Sequence, residues 1–150
     1  SQRAARSFSA ATNNGHVNAR NPTSDAMRIV SAEIATTFLQ EQNVNESIIK
    51  QVVSCILATK IDAEPQTILE KIIRDADASH FAKYYFQEAS ELLRLELKLQ
   101  GIQDFTRKDW LEGNIKTLTT QHKYYSDYAI EHWNPKKEEN LEKTAKKKQS

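Results

Sequence analysis

The sequence predicts an all-α domain built from about five main helices. Three observations carry that expectation. Apolar residues recur at spacings of three and four in five successive segments, the period of one helical face. Only three glycines and three prolines interrupt 150 residues, too few chain breakers for many short strands. Leucine, lysine, glutamate, isoleucine and alanine are common, and most of these are strong helix formers.

Residues 1–23 show no apolar period and read as an irregular N-terminal arm. Regular structure is expected from Ser24, with Ser24 or Thr23 capping a helix whose Met27, Val30, Ile34 and Phe38 share one face. Asn43 and Glu46 have the spacing of a capping box for a second helix over 46–59. Its Ile48, Ile49, Val52, Val53, Ile56 and Leu57 make a wide apolar stripe. Pro65 suits the first turn of a third helix, with Ile68, Leu69, Ile72, Ile73 and Ala76 as its buried face. A fourth helix is expected from about Phe81 to Gln100, stopped at Gly101. A fifth starts after a Thr106–Asp109 cap and reaches roughly Trp133, ended by Pro135. Residues 24–135 form the expected helical domain, and 136–150 a charged, lysine-rich tail, weakly helical or frayed. The expected core joins Ile34, Phe38, Val52, Ile56, Ile72 and Leu92.

A chain of this length is one domain with room for a real core. The formal net charge is +1, so no global basic field collects nucleic acid, which is not an expected partner. The lysines near the C-terminus are offset by Glu138, Glu139 and Glu142. A single cysteine, Cys55, excludes an internal disulfide and fits a reducing compartment. Flanked by Val53, Ile56 and Leu57, it reads as a small core residue. No apolar run has the length of a signal peptide or a membrane span, so the cytoplasm is the expected location. Gly-rich phosphate loops, Cys-x-x-Cys pairs and Gly-x-Ser-x-Gly elbows are absent from the sequence.

The stretch most informative about chemistry is Ile72-Ile73-Arg74-Asp75-Ala76-Asp77-Ala78-Ser79-His80. Two carboxylates follow a strongly apolar helical stripe, and carboxylates at the rim of a core need a cation, a metal or an amide donor. A solvated helix end or a cap is the plainer account of Asp-Ala-Asp. Lys60 can meet a phosphate or simply complement a helix C-terminus. His80 can touch a substrate or be a partly exposed histidine at a helix start. His122, Tyr124, Tyr125 and Tyr128 can stack on a nucleobase or pack against residues 81–99.

The series Ile56-Leu57-Ala58-Thr59-Lys60, Pro65, Leu69 to Ile73, Asp75-Ala76-Asp77, Ser90 to Glu96, Trp110 and His122-Lys123-Tyr124-Tyr125 resembles a bacterial branch of the HD-superfamily metal-dependent phosphohydrolases. An Ala-Thr-Lys helix end, an Asp-Ala-Asp and a late His-x-Tyr recur there in this order. The resemblance covers roughly residues 30 to 145. It implies an irregular orthogonal helical bundle, HD-domain-like in topology, and hydrolysis of a nucleotide or another phosphate ester. It also implies one or two divalent metals of the Mn, Mg, Fe, Ni or Zn kind, held by a His, a His-Asp doublet and a final Asp. Asp77 is the better match to that final Asp and Asp75 the runner-up, with Lys60 and His80 as substrate-binding candidates. A phosphorylated small molecule or nucleotide is the expected partner, and a homo-oligomer is compatible. The sequence departs sharply from the family pattern. It has no His-Asp doublet, and the one histidine before Asp75 is His16. Met27 or its neighbours stand where a family histidine often precedes the Ser31-Ala32-Glu33-Ile34-Ala35 segment. The expected activity is therefore incomplete or lost in this chain, and the metal can be absent from it. The alternative is a non-catalytic helical binding or protein-interaction module.

Overall fold

A computed structural model of the chain describes residues 22–60 and 62–150. The described residues form seven helices and no strand: α1 Pro22–Glu41, α2 Glu46–Ala58, α3 Ile68–Asp77, α4 Phe86–Leu99, α5 Arg107–Lys116, α6 Asp127–His132 and α7 Asn134–Gln149. A 3-10 turn, Ser79–Ala82, separates α3 from α4, and a π turn, Thr117–Gln121, follows α5. The all-α expectation is met. The irregular arm of residues 1–23, with His16, lies outside the described residues but for its last two positions, which belong to α1.

Local chemistry explains most boundaries. Asn43 takes a left-handed φ of 55° in the turn after α1, a conformation asparagine tolerates better than most residues. It is therefore not the cap of α2; Asn45 is, accepting a hydrogen bond from the Ser47 amide. Thr67 caps α3 through the Glu70 amide, two residues after Pro65. Thr106 and Asp109 cap α5 as the spacing predicts. Gly101 stands at φ 66° behind α4, where a glycine carries no Cβ penalty.

Two long helices expected from the sequence are broken in the structure. The segment expected as one helix from Phe81 begins as the 3-10 turn and restarts at Phe86. The fifth helix ends at Lys116, widens into the π turn, runs extended through His122 and restarts as α6. The expected frayed tail is α7, with Lys137, Asn140 and Thr144 buried. Pro135 lies in the first turn of α7, where its missing amide hydrogen costs nothing. It starts a helix and does not end one.

The bundle has two parts. In the first, α1 packs on α2 and α2 on α3. In the second, α7 packs on the 3-10 turn and on α4, α5 and α6. Ala32, Ile49 and Ala58 are buried where the first part packs together, and the two larger apolar clusters belong to the second. Phe81, Phe86, Leu93, Leu97, Trp110 and Leu118 form its main cluster. Ala82, Tyr124 and Ala129 form a smaller one, and Ala78 packs against both. Several polar groups inside are matched to one another. Ser90 Oγ accepts from Trp110 Nε1 at 2.9 Å and Asn114 Nδ2 at 2.7 Å. Asn140 donates to the Phe81 and Lys83 carbonyls, and Gln87 donates to the Asn140 carbonyl and to Thr144.

The expected core set is not the observed one. Ile34 is 64% exposed, Phe38 58%, Ile72 50% and Leu92 60%; Val52 and Ile56 are half-buried. The periodicity identified residues sharing a face correctly, but no described element covers the faces of α1 and α3. On α4 the buried stripe is Phe86, Ser90, Leu93 and Leu97, and Leu92, Leu95 and Leu99 lie exposed. Helix α3 is inverted. Its buried residues are Glu70 and Asp75, with Lys71 and Arg74 half-buried, while Ile68, Leu69, Ile72, Ile73 and Ala76 are exposed.

Truncating a residue of the observed core should cost far more than truncating one of the outward stripes. Phe86→Ala is expected to lose about 3–5 kcal/mol in urea unfolding, and Ile34→Ala or Ile72→Ala less than about 1 kcal/mol. Equal losses at all three positions would contradict this assignment of faces.

Candidate functional site

The end of α2 organises the region around the Asp-Ala-Asp. Its last carbonyls have no partner inside the helix, and two guanidinium groups supply one. Arg28 of α1 donates to the Thr59 carbonyl at 3.3 Å and to Thr59 Oγ1 at 3.2 Å. Arg74 of α3 donates to the Ala58 carbonyl at 3.2 Å and to the Lys60 carbonyl. Cations at a helix C-terminus also meet the negative end of its dipole. One helix end thus binds the helices on both sides of it. Sequence reading singled out neither arginine.

The two aspartates have different roles. Asp75 is 2% exposed. Its Oδ1 accepts from the Tyr125 amide at 2.9 Å, and its Oδ2 from the Ser126 amide at 2.7 Å and the Ser126 hydroxyl at 2.6 Å. Ser126 in turn caps α6 through the Ala129 amide. The carboxylate is occupied as a latch between α3 and the segment entering α6. Asp77 lies one turn beyond Ile73, on the exposed side of α3. Crowding of its carboxyl by neighbouring atoms raises its pKa, and Arg28 and Arg74 partly offset that. Because more than a third of the residue still faces solvent, the upward push is modest in consequence.

Lys60 sits beside Arg28, its ammonium 3.6 Å from both Asp25 and Asp62. The two acids already balance its charge. His80 lies in the 3-10 turn with Nδ1 3.1 Å from the Asp77 carbonyl. Burial pushes its pKa down to about 4, the hydrogen bond opposing. Sequence reading offered a partly exposed histidine here, and the half-buried ring agrees with that. The Phe81 ring stands between His80 (4.3 Å) and His122 (4.8 Å).

His122 also meets Tyr124 edge-on at 4.6 Å, and its buried Nδ1 has no hydrogen-bond partner among the described residues. Burial, then the charges of Lys137, His80 and Arg74, drive its pKa down to about 3. Tyr124 donates its hydroxyl to the Ala78 carbonyl at 3.1 Å. The Tyr125 ring has Arg74 and Lys123 at 5.7 and 5.1 Å, and Tyr128 is exposed. The aromatic group therefore fastens the second part of the bundle to the end of α3, which favours packing over base stacking. Cys55 is half-buried near Glu70, burial first and that carboxylate second raising its pKa.

The chain matches no family model, no curated protein and no solved structure in the comparisons made.

Among the described residues, no three His, Cys, Asp or Glu side chains converge as a metal would require. Asp75 is taken by amide donors, and the charges that act on Asp77 are those of Arg28 and Arg74. These residues do not by themselves fit a metal.

Two outcomes follow. Asp75→Asn replaces an acceptor facing two amides with a group that is half donor, and should cost about 1–3 kcal/mol; Asp77→Asn should stay within about 0.5 kcal/mol. Denaturant unfolding of both variants checks this. For His122, the folded pKa of about 3 lies below the ordinary 6.5. Its neutral form therefore adds stability that is full above pH 6.5 and is lost as pH falls from 6.5 toward 3. His122→Phe should flatten that part of the stability profile; an unchanged slope would show that His122 does not titrate on unfolding.

Proposed function

We propose that this chain supplies the carboxylate-bearing part of an HD-superfamily-like phosphohydrolase domain acting on a nucleotide or other phosphate ester, and is inactive by itself. The observation that supports the reading is the division of labour in Asp75-Ala76-Asp77. One carboxylate is consumed as a buried latch, and the other is held outward by the same helix, at the end of an uncovered apolar stripe. That places Asp77 where groups from outside the described residues can reach it. Histidine ligands of the family kind would have to come from there, because His80 and His122 are pinned around Phe81. Lys60 and His80 flank the same helix ends and remain the substrate-contacting candidates of this reading.

A second reading is favoured by a specific observation. The outward stripes of α1 and α3 are what a helical interaction module presents to a partner. On that reading the Asp-Ala-Asp is architectural and no hydrolysis occurs in any assembly. No described helix is long and apolar enough to cross a membrane, so neither reading places a helical span there.

The experiment is a manganese titration of the purified chain followed by amide NMR, paired with hydrolysis assays on a nucleotide and a generic phosphodiester. Line broadening should centre on Asp77 and disappear in Asp77→Asn, with no substantial turnover by the chain alone. Broadening absent at Asp77, or unchanged by the substitution, would leave the interaction module as the reading.

A further inference from the structure

We propose that His122 makes the junction between the two parts of the bundle acid-sensitive: a proton on its ring releases residues 122–126 from the end of α3 while the main core stays folded. The device is independent of what Asp77 binds.

The segment is built to open by itself. Residues 122–125 run extended between the π turn and α6. The His122 amide donates to the Thr117 carbonyl, and the ties across to α3 and α7 are made by side chains. Asp75 holds the Tyr125 and Ser126 amides and the Ser126 hydroxyl. The Tyr124 hydroxyl reaches the Ala78 carbonyl, and the Lys137 ammonium reaches the His122 carbonyl at 3.2 Å. A stretch with few backbone bonds of its own opens more readily than a packed helix. The 3-10 turn keeps separate ties to the core through Asn140 on the Phe81 and Lys83 carbonyls.

The His122 ring is packed for its neutral form. It lies edge-on to Phe81 and Tyr124, and its buried Nδ1 meets no hydrogen-bond partner among the described residues. A neutral imidazole can leave that nitrogen as a bare lone pair, but a protonated ring carries N–H on both nitrogens. A proton would therefore bury both a charge and a donor with nothing to accept it. The groups that face the ring add to the penalty. Lys137 of α7, itself buried, His80 of the 3-10 turn and Arg74 of α3 each oppose a positive charge there. Asp75 of α3 acts on Tyr124 and is engaged by the Tyr125 and Ser126 amides. The neighbouring Lys123 pairs with Glu64 at 3.8 Å. Burial and these charges push the pKa of the closed ring down to about 3, and opening restores the ordinary 6.5. Opening therefore gains a proton below pH 6.5, and its equilibrium rises by close to about tenfold for each unit of pH below that.

The test is amide hydrogen exchange on the full chain at pH 7 and pH 5, corrected for the intrinsic effect of pH, with NMR titration of the histidine rings. Protection of the Tyr125 and Ser126 amides is expected to fall about twentyfold between the two conditions. The Leu93 and Leu97 amides of α4 should keep theirs within about twofold. His122→Phe, which keeps a ring and cannot titrate, should hold the fall at Tyr125 and Ser126 to less than about threefold, and His122→Gln should do the same should the larger ring disturb packing. Protection that does not change between pH 7 and pH 5 overturns the proposal. So does an equal fall in the chain and in both variants, which would place the proton elsewhere. An equal fall at Leu93 and Leu97 overturns it as global unfolding, and so does a His122 ring that titrates near 6.5 while Tyr125 and Ser126 stay protected.

Discussion

The buried carboxylate of Asp75 joins the two parts of this molecule. The first part, α1 to α3, meets the second mainly through the end of α3. There Asp75 takes two backbone amides and a hydroxyl from Tyr125 and Ser126. A carboxylate that accepts several amide bonds is held in one orientation. The Tyr124 hydroxyl on Ala78 and the Arg74 guanidinium over Tyr125 reinforce the same junction. Burying a charge is unfavourable unless its lone pairs are matched, so this junction has one satisfactory geometry. It sets where the 3-10 turn leaves α3, and with it the position of Phe81 at the edge of the main core.

The polar side of α3 follows from that constraint. Glu70 is held by the Ser54 hydroxyl and the Gln66 amide, and these bonds lower its pKa. Arg74 is committed to the carbonyls ending α2. With Glu70, Arg74 and Asp75 all turned inward, the helical period forces Ile68, Ile72 and Ala76 outward, with Leu69, Ile73 and Asp77 beside them. The exposed apolar stripe and the outward carboxylate are thus two consequences of one arrangement. Any element that covers the stripe is brought close to Asp77.

Much of the fold was legible in the sequence because helices announce themselves locally. The three-and-four spacing, the Thr106–Asp109 cap and the stop at Gly101 depend on residues within a few positions of one another. The breaks were harder to read. Nothing between Lys116 and Tyr125 resembles a strong stop signal, and the π turn there buries Thr117 and Leu118. Ser126 followed by Asp127 was the available sign that a new helix begins. The site was legible as a location, the Asp-Ala-Asp, and not as a set of roles. Asp77 and Asp75 are two positions apart and therefore face different directions on a helix, but the sequence does not say which direction is inward.

By itself the sequence determined the helices, their approximate ends and which residues share each face, because these are properties of the backbone and of neighbouring side chains. Only the tertiary structure decided which face is buried. On α3 the polar face is the inner one, since three charged side chains find partners on α2 and before α6 that are distant in sequence. On α7 a lysine-rich segment is packed, with Lys137 buried against the His122 carbonyl and the Tyr124 ring. A periodic pattern tells a helix what it can bury; the elements that happen to stand beside it determine what it does bury.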